Sequence, residues 1–497
     1  MPLKLYNTLT RQKAPFEPIE PGNVRFYCCG VTVYDYCHLG HARSYIVWDV
    51  VRRYLQWRGY DVHYVQNYTD IDDKILQRAK EQNEDWQVIT QRYIDAYQED
   101  MSRLNILPAD VYPKATEFIP QMIALIESLE QQGYAYTADG DVYYAVEKFP
   151  GYGKLSGRKL DQMEEGASGR VGQGDARKRH PLDFALWKAT KPGEPFWESP
   201  WGAGRPGWHL ECSAMVKDCL GDEIDIHAGG SDLTFPHHEN EIAQSEAAGS
   251  ANLARYWMHN GFVNVGGEKM SKSLGNFTTI RQLLDNPIPA LDGALFHPMA
   301  MRLFVLQAQY RKPIDFTDDA VIAANQSWQT LRDGLLFGFD YGAQLGWSDR
   351  QDADFGNSAA MRMPEGDLVD RFQTAMDDDF NTSSALVVLF ELAKELRRVG
   401  NILTHQGEMT ETSEALRGQW QTLVCLAQIL GLEAQPEAEE ESTAGMSEAE
   451  IEALIAQRQA ARQAKDFGES DRIRDTLAAA GITLVDQPGG VTSWHRS

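Results

Sequence analysis

The chain has 497 residues, too many for one hydrophobic core, so about three or four domains are expected. Its composition, 43% hydrophobic and 24% charged, is that of an ordinary globular protein, and no apolar run is long enough to span a bilayer. A net charge of −25 taken alone argues against nucleic acid as a partner, although local patches decide binding, and six cysteines in so long a chain make no disulfide framework.

Met1 to Lys13 lacks the charged-then-apolar layout of a signal peptide, so a cytoplasmic location is expected. Val24 to Cys29 (VRFYCC) reads as a buried strand ending at Gly30. Ser44 to Leu55 carries Ile46, Val47, Val50, Val51, Tyr54 and Leu55 at helical spacing, and Asp61 to Gln66 reads as a second strand. Strand, loop, helix and strand in this order open a parallel α/β sheet. From Phe118 to Gly204 the texture changes. A helix (Ile119 to Gln132), short strands around Val142 to Val146 and a Gly-rich polar loop (Glu165 to Asp175) read as an insertion. Asp225, Ile226 and His227 end another strand before a Gly-Gly turn, and Trp257 to Val265 reads as one more. Beyond Asp349 the pattern is helical, with Ala385, Leu386, Leu389, Phe390, Ala393 and Leu396 as an apolar stripe. A Pro/Glu/Ser-rich linker, Gln435 to Gly445, precedes a capping box of Ser447 with Glu450 and a compact module to Ser497.

Three constellations carry chemistry. His38-Leu39-Gly40-His41 lies between the first strand and its helix, where open α/β sheets bind ligands and a helix N-terminus favours phosphate. Its glycine allows close approach and its imidazoles can donate to phosphate oxygens. Lys269-Met270-Ser271-Lys272-Ser273 follows a Gly-Gly turn, and its lysines suit charge building up on phosphoryl oxygens. Cys29, Cys212, His237 and Glu241 are of zinc-ligating type, with His237 and Glu241 four apart on one helix face after Pro236. Read by spacing alone, the two distant cysteines fit core positions better than a metal site.

The first two motifs, in this order and context, resemble the HIGH and KMSKS signatures of class I aminoacyl-tRNA synthetases, with Leu39 in place of Ile. Phe26 to His41, Tyr68 to Ile75, Ser199 to Met215, Ile224 to Glu246, Met376 to Ala385 and Ala464 to Leu477 resemble segments of cysteinyl-tRNA synthetases. The resemblance covers nearly the whole chain. It departs at Val31, where Pro is frequent, at Ala228, where a Gly-rich turn has Gly and the nucleotide pocket changes slightly, and at Asp285 to Phe296, an insertion.

The resemblance implies a Rossmann-type parallel-sheet catalytic domain in two pieces, 1–120 and 205–262, with a connective insertion at 121–204. A KMSKS and stem-contact region (263–348), a helical tRNA-binding domain of DALR type (349–434), an acidic linker (435–446) and an anticodon-binding module (447–497) would follow. It makes the protein a monomeric ligase that forms cysteinyl-adenylate from L-cysteine and ATP and loads tRNA(Cys), with no membrane partner. One Zn²⁺ on Cys29, Cys212, His237 and Glu241 would read the substrate thiolate, and Mg²⁺ would accompany ATP. His38, His41 and Lys272 are the expected catalytic residues. Gly40, Gly230, Asp232 and Lys269 join them around ATP, and Gly30, Thr69, Trp208 and His227 line the amino-acid pocket. Arg458, Arg462, Lys465, Arg472, Arg474 and Trp494 in the tail, and Arg177 to Arg179 in the insertion, are candidate RNA contacts. Two other readings are a cysteine ligase of mycothiol biosynthesis, which has no tRNA-type tail, and an inactive RNA-binding relative, which would show damage in these motifs.

Overall fold

The computed structural model describes residues 2–160, 176–249, 252–270, 276–347, 366–405, 411–436, 448–464, 466–486 and 492–496. They fall into two compact units, Met1–Ala434 and Gln435–Ser497.

In the first unit a hairpin of β1 (Lys4–Asn7) and β2 (Gln12–Pro15) precedes β3 (Asn23–Thr32), α1 (Leu39–Trp57) and β4 (Asp61–Thr69). Helix α1 is buried nearly all round, which is why its apolar residues exceed a single stripe. Asp72 caps α2 (Asp73–Gln82) and Asp85 caps α3 (Trp86–Arg103), each accepting an amide of the first turn. Helix α4 (Ile119–Gln131) begins the insertion, whose antiparallel sheet has the order β5 (Ala135–Ala138), β6 (Asp141–Tyr144), β7 (Phe184–Ala189) and β8 (Gly204–Pro206). The chain then returns through α5 (Trp208–Leu220), β9 (Ile224–Gly230), α6 (Glu239–Ala247) and β10 (Ala254–Asn260).

The central sheet has the order β10-β9-β3-β4, all parallel. The chain runs from β3 outward to β4 and later fills the other side with β9 and β10. The topological switch point therefore lies between β3 and β9, where such sheets bind ligands beyond the strand ends.

A three-stranded sheet follows, β11 (Val263–Val265), β12 (Glu268–Lys269) and β13 (Ile314–Phe316), in the order β12-β11-β13. Helices α7 (Ile280–Asp285), α8 (Pro298–Leu306), α9 (Asp318–Tyr341), α10 (Asp367–Asp377), α11 (Thr382–His405) and α12 (Ser413–Ile429) complete the unit. The stripe on α11 is buried as expected except for a half-buried Phe390. The second unit pairs α13 (Glu448–Gln463) with α14 (Phe467–Ala479) and a hairpin of β14 (Ile482–Asp486) and β15 (Thr492–Arg496). Ile451, Ile455, Ile473, Leu477 and Ile482 form its core, with Trp494 packed against them.

Several expected boundaries move. Strand β3 continues past Gly30, with its register shifting between Cys28 and Val31, because this irregularity lets the chain pass Asn67 closely. Residues 227–230 are strand, not a turn, and Ala228 is fully buried between Cys28 and Met258. Trp257 to Val265 breaks at Gly261 into strands of two different sheets. Pro236 does not open the helix after it. It lies in a five-residue π-type turn, Thr234–His238, and α6 starts at Glu239. The polar loop expected at 165–175, most of the linker at 435–445 and the cap at Ser447 lie outside the described residues.

Candidate functional site

At the switch point the structure gathers Cys29, Cys212, His237 and Glu241, each with a ligand atom within 4.8 Å of the others. Cys29 comes from β3, Cys212 from the second turn of α5, His237 from the π-type turn and Glu241 from α6. The contacts are 3.8 Å (Cys29 Sγ–Cys212 Sγ), 3.6 Å (Cys29 Sγ–Glu241 Oε1), 3.5 Å (Cys212 Sγ–His237 Nε2) and 3.1 Å (His237 Nε2–Glu241 Oε1). Ligands bound at zinc-like distances of about 2.0–2.3 Å to one tetrahedral centre lie about 3.3–3.8 Å apart. Three of these edges fit that figure and the fourth falls just short.

A second set, Cys29, His227, His238 and Glu241, is equally close-knit. It fits an ion less well. His227 Nε2 and Glu241 Oε2 are 2.7 Å apart, a hydrogen bond rather than a ligand edge. His227 is better placed as the partner that orients Glu241, and it stacks on Trp257 with ring centroids 4.5 Å apart. On the other side, His209 Nδ1 lies 3.0 Å from His237 Nδ1, so that the His237 Nε2 faces the cluster. Trp208 stacks on His237 at 4.1 Å. A ligand imidazole held through its other nitrogen is the usual support of a metal site.

Charge in this pocket is suppressed. Burial, then the neighbouring Cys212, push the Cys29 thiol well above its ordinary range. The Cys29 hydrogen bond draws Cys212 down, but burial and the Glu241 carboxylate outweigh it. Burial and His227 hold His238 well below the usual imidazole range, and His259 is pulled down to about 3 for the same reasons. Thiols held neutral by burial are what a buried donor set looks like before a dication lowers their values.

Beside the cluster, His38 caps α1. His38 Nδ1 accepts the His41 amide at 3.2 Å, His41 Nδ1 accepts the His38 amide at 3.3 Å, and the rings stack 3.7 Å apart. With both Nδ1 atoms accepting, the neutral tautomer places each ring proton on Nε2. A Cβ on Gly40 would strike the His38 ring and lie 3.5 Å from Met270 Cε. On β12, Lys269 Nζ rests over the Phe262 ring at 4.2 Å, beyond the Gly266-Gly267 turn, whose φ values are positive. Lys272 lies outside the described residues. Asp232 follows the end of β9, and a Cβ on Gly230 would collide with its carboxylate.

Of the other expected pocket residues, Gly30 gives its amide to Asn67 Oδ1 at 2.8 Å, and any side chain on it would overlap the Asn67 carbonyl. Thr69 donates to Glu211 Oε2 at 2.6 Å. Asn67, His209, Glu211, His238 and His259 were not singled out in sequence. His209 and Glu211 flank Cys212 in one short helix, a signal available there; the role of Asn67 emerges only from strand pairing. Arg458 is buried, while Arg472 and Arg474 pair with Glu469, Asp471 and Asp475 of their own helix. Lys465 lies outside the described residues.

Comparison with known families adds three matches along the chain. Residues 15–326 match the tRNA synthetases class I (C) catalytic domain, 371–435 the DALR domain, and 446–492 the cysteinyl-tRNA ligase anticodon binding domain. The chain is 65% identical over 501 residues to a cysteine–tRNA ligase of Cyanothece sp. strain PCC 7425 and 63% identical over 502 residues to one of Gloeothece citriformis, covering the full length of both chains in each case. Among solved structures it resembles a methionyl-tRNA synthetase of Mycobacterium tuberculosis in complex with methionyl-adenylate. That likeness has a TM-score of 0.52 at 17% identity and covers 82% of this chain and 89% of the other, a likeness of fold. A leucyl-tRNA synthetase of Agrobacterium radiobacter gives 0.53 at 12% identity over 84% and 85%.

Proposed function

We infer the chemistry from the premise that this chain belongs to the class I cysteine–tRNA ligase family. It is an aminoacyl-tRNA synthetase that uses ATP to join cysteine to tRNA. The mycothiol-type ligase does not account for a full-length match that includes the anticodon-binding module, and the motifs whose damage would mark an inactive relative are intact in the sequence.

Cys29, Cys212, His237 and Glu241 would hold a zinc ion, and Trp208 and Thr69 would border the amino acid beside it. Zinc supplies a thiophilic Lewis acid that takes a thiolate far more readily than an alcohol oxygen. That chemistry answers a selection problem shape cannot, since a one-atom difference in a pocket is discriminated only about 10–200-fold. The cysteine carboxylate attacks the α-phosphorus of ATP in line and pyrophosphate leaves. His38 and His41 donate Nε2–H to phosphate oxygens, and Lys269 and Lys272 balance their charge. Asp232 holds the ribose, and Mg²⁺ travels with the polyphosphate. The terminal adenosine of the tRNA then takes the cysteinyl group.

The observation that carries this reading is the four-ligand cluster, which includes Cys29 on the strand that leads into the histidine-capped helix. ATP–pyrophosphate exchange with cysteine and serine, each with and without a chelator, tests it. Exchange with cysteine that chelation abolishes is expected. Exchange that proceeds equally with serine, or survives complete zinc removal, defeats it.

A further inference from the structure

Arg43 stands two residues beyond the second histidine of the α1 cap and is 1% exposed. Buried guanidinium groups ordinarily face a carboxylate. Among the described residues this one faces three backbone carbonyls instead: Phe262 O at 2.5 Å, Tyr310 O at 3.0 Å, and Lys312 O. Among the described residues its Nε finds no acceptor, and burial draws its pKa down to about 10, which still leaves it charged at neutral pH. Such an arrangement is costly unless the joint it makes matters.

The three carbonyls belong to the chain entering β11 and β13, which are parallel neighbours starting at Val263 and Ile314. Strand β11 turns directly into β12, which carries Lys269. Gly261 belongs to the same joint. Its amide donates to Tyr310 O at 2.9 Å, and a Cβ there would come within 2.6 Å of the Lys312 carbonyl. Ser44 Oγ adds a bond to Asn260 Oδ1 at 2.9 Å. The far side of the lysine-bearing segment also returns to α1, through Leu39 N to Thr278 O at 3.2 Å and Ile280 N to Cys37 O at 2.9 Å. One helix thus carries the two histidines and anchors the segment at both ends.

We propose that Arg43 is a positioning residue for adenylate formation, fixing the base of the Lys269 hairpin to the helix that carries His38 and His41. A planar fork with several donors suits this task, because it sets orientation as well as distance. The inference rests on the phosphate role given above to these residues.

The test compares Arg43→Met, Arg43→Lys and Lys269→Ala in the full-length enzyme. Displacing a reacting group by about 1 Å costs on the order of 100-fold. Arg43→Met should lower kcat for pyrophosphate exchange about 10–100-fold. Zinc content, KM for cysteine, and transfer to tRNA from preformed adenylate should stay within about twofold, the last because it needs no pyrophosphate-side lysine. Arg43→Lys, with charge but no fork, should recover part of the rate. The Arg43→Met/Lys269→Ala double variant should be no more than about threefold slower than the slower single, because both act through one hairpin. Multiplicative losses, a parallel fall in both half-reactions, or an unchanged rate would overturn the proposal. Should Arg43→Met not fold, Gly261→Ala displaces the same joint with Arg43 intact, and wild-type kcat there would overturn it equally. If the wild-type enzyme shows no cysteine-dependent exchange, the functional reading fails instead.

Discussion

His38 and His41 each commit Nδ1 to the other's backbone amide, so the cap and the proposed Nε2 donor use different nitrogens of the same ring. The two can be separated by substitution. Asn retains an acceptor near the Nδ1 position but has nothing in place of Nε2. His38→Asn should therefore keep stability within about 1 kcal/mol, the typical worth of a cap. It should lower pyrophosphate exchange by about 10²–10³-fold, the usual cost of one transition-state donor. A variant that unfolds at wild-type urea concentrations and exchanges at wild-type rate would refute the donor role. The metal cluster yields a second residue-scale expectation. On the proposed zinc reading Cys212→Ser removes a soft ligand, so zinc content measured by atomic absorption should drop. The cysteine-over-serine ratio in kcat/KM should collapse toward the about 10–200-fold that shape alone provides. Retention of both zinc and selectivity would show that Cys212 is a core cysteine.

The elements are held in register by buried charges rather than by loops. Arg302 on α8 is fully buried and reaches Asp49 on α1, Leu430 O just past α12, and Leu104 O and Asn105 O just past α3. Arg53 shares the same carboxylate at 2.9 Å. Burial alone would raise Asp49, but Arg302 and Arg53 outweigh it and hold it below its ordinary value. An acid held low in the fold contributes stability above its unfolded pKa of about 3.9 and loses it as pH falls through the lower folded value. Arg302→Met leaves that carboxylate partly uncompensated and should cost about 3–5 kcal/mol at neutral pH. The deficit should shrink as the medium is acidified below about pH 4. Urea melts of wild type and variant at pH 7 and about pH 3 measure it, and a deficit that is the same at both would mean that packing, not charge, is what was lost.

Over the whole molecule, the Met376 to Ala385 segment explains why the helices α10 to α12 stay with α1 and the β1–β2 hairpin of the same unit. Asp377 accepts from Tyr54 Oη at 2.7 Å. Asp379 accepts the Tyr6 amide at 2.8 Å, Tyr310 Oη at 3.0 Å and Arg311 Nε at 2.9 Å. Asp379 and Phe380 adopt left-handed backbone angles, φ 63° and 51°, where the chain turns between α10 and α11. These aspartates thus form a joint between segments. The second unit has a core of its own, so removing residues beyond Ala434 should leave the first folded. Such a truncation should keep cysteine-dependent pyrophosphate exchange within about threefold, while kcat/KM for tRNA falls about 100-fold, the change expected from losing about 2.7 kcal/mol of RNA contact. Equal loss in both assays would place part of the activation site in the second unit.

Much of this was readable from the amino-acid order. The HxGH and KMSKS motifs, the four ligand types and the α11 stripe are local patterns, each set by residues a few positions apart or by side-chain chemistry itself. The structure alone decided what depends on strand order. Cys29 and Cys212 meet because α5 packs against β3 and β4, although nothing in their spacing says so. His227 holds Glu241, Asn67 holds Gly30, and Arg43 grips three carbonyls, because contacts between distant segments follow from which strands pair and at what register. Periodicity records which face of an element is buried, but not what it is buried against.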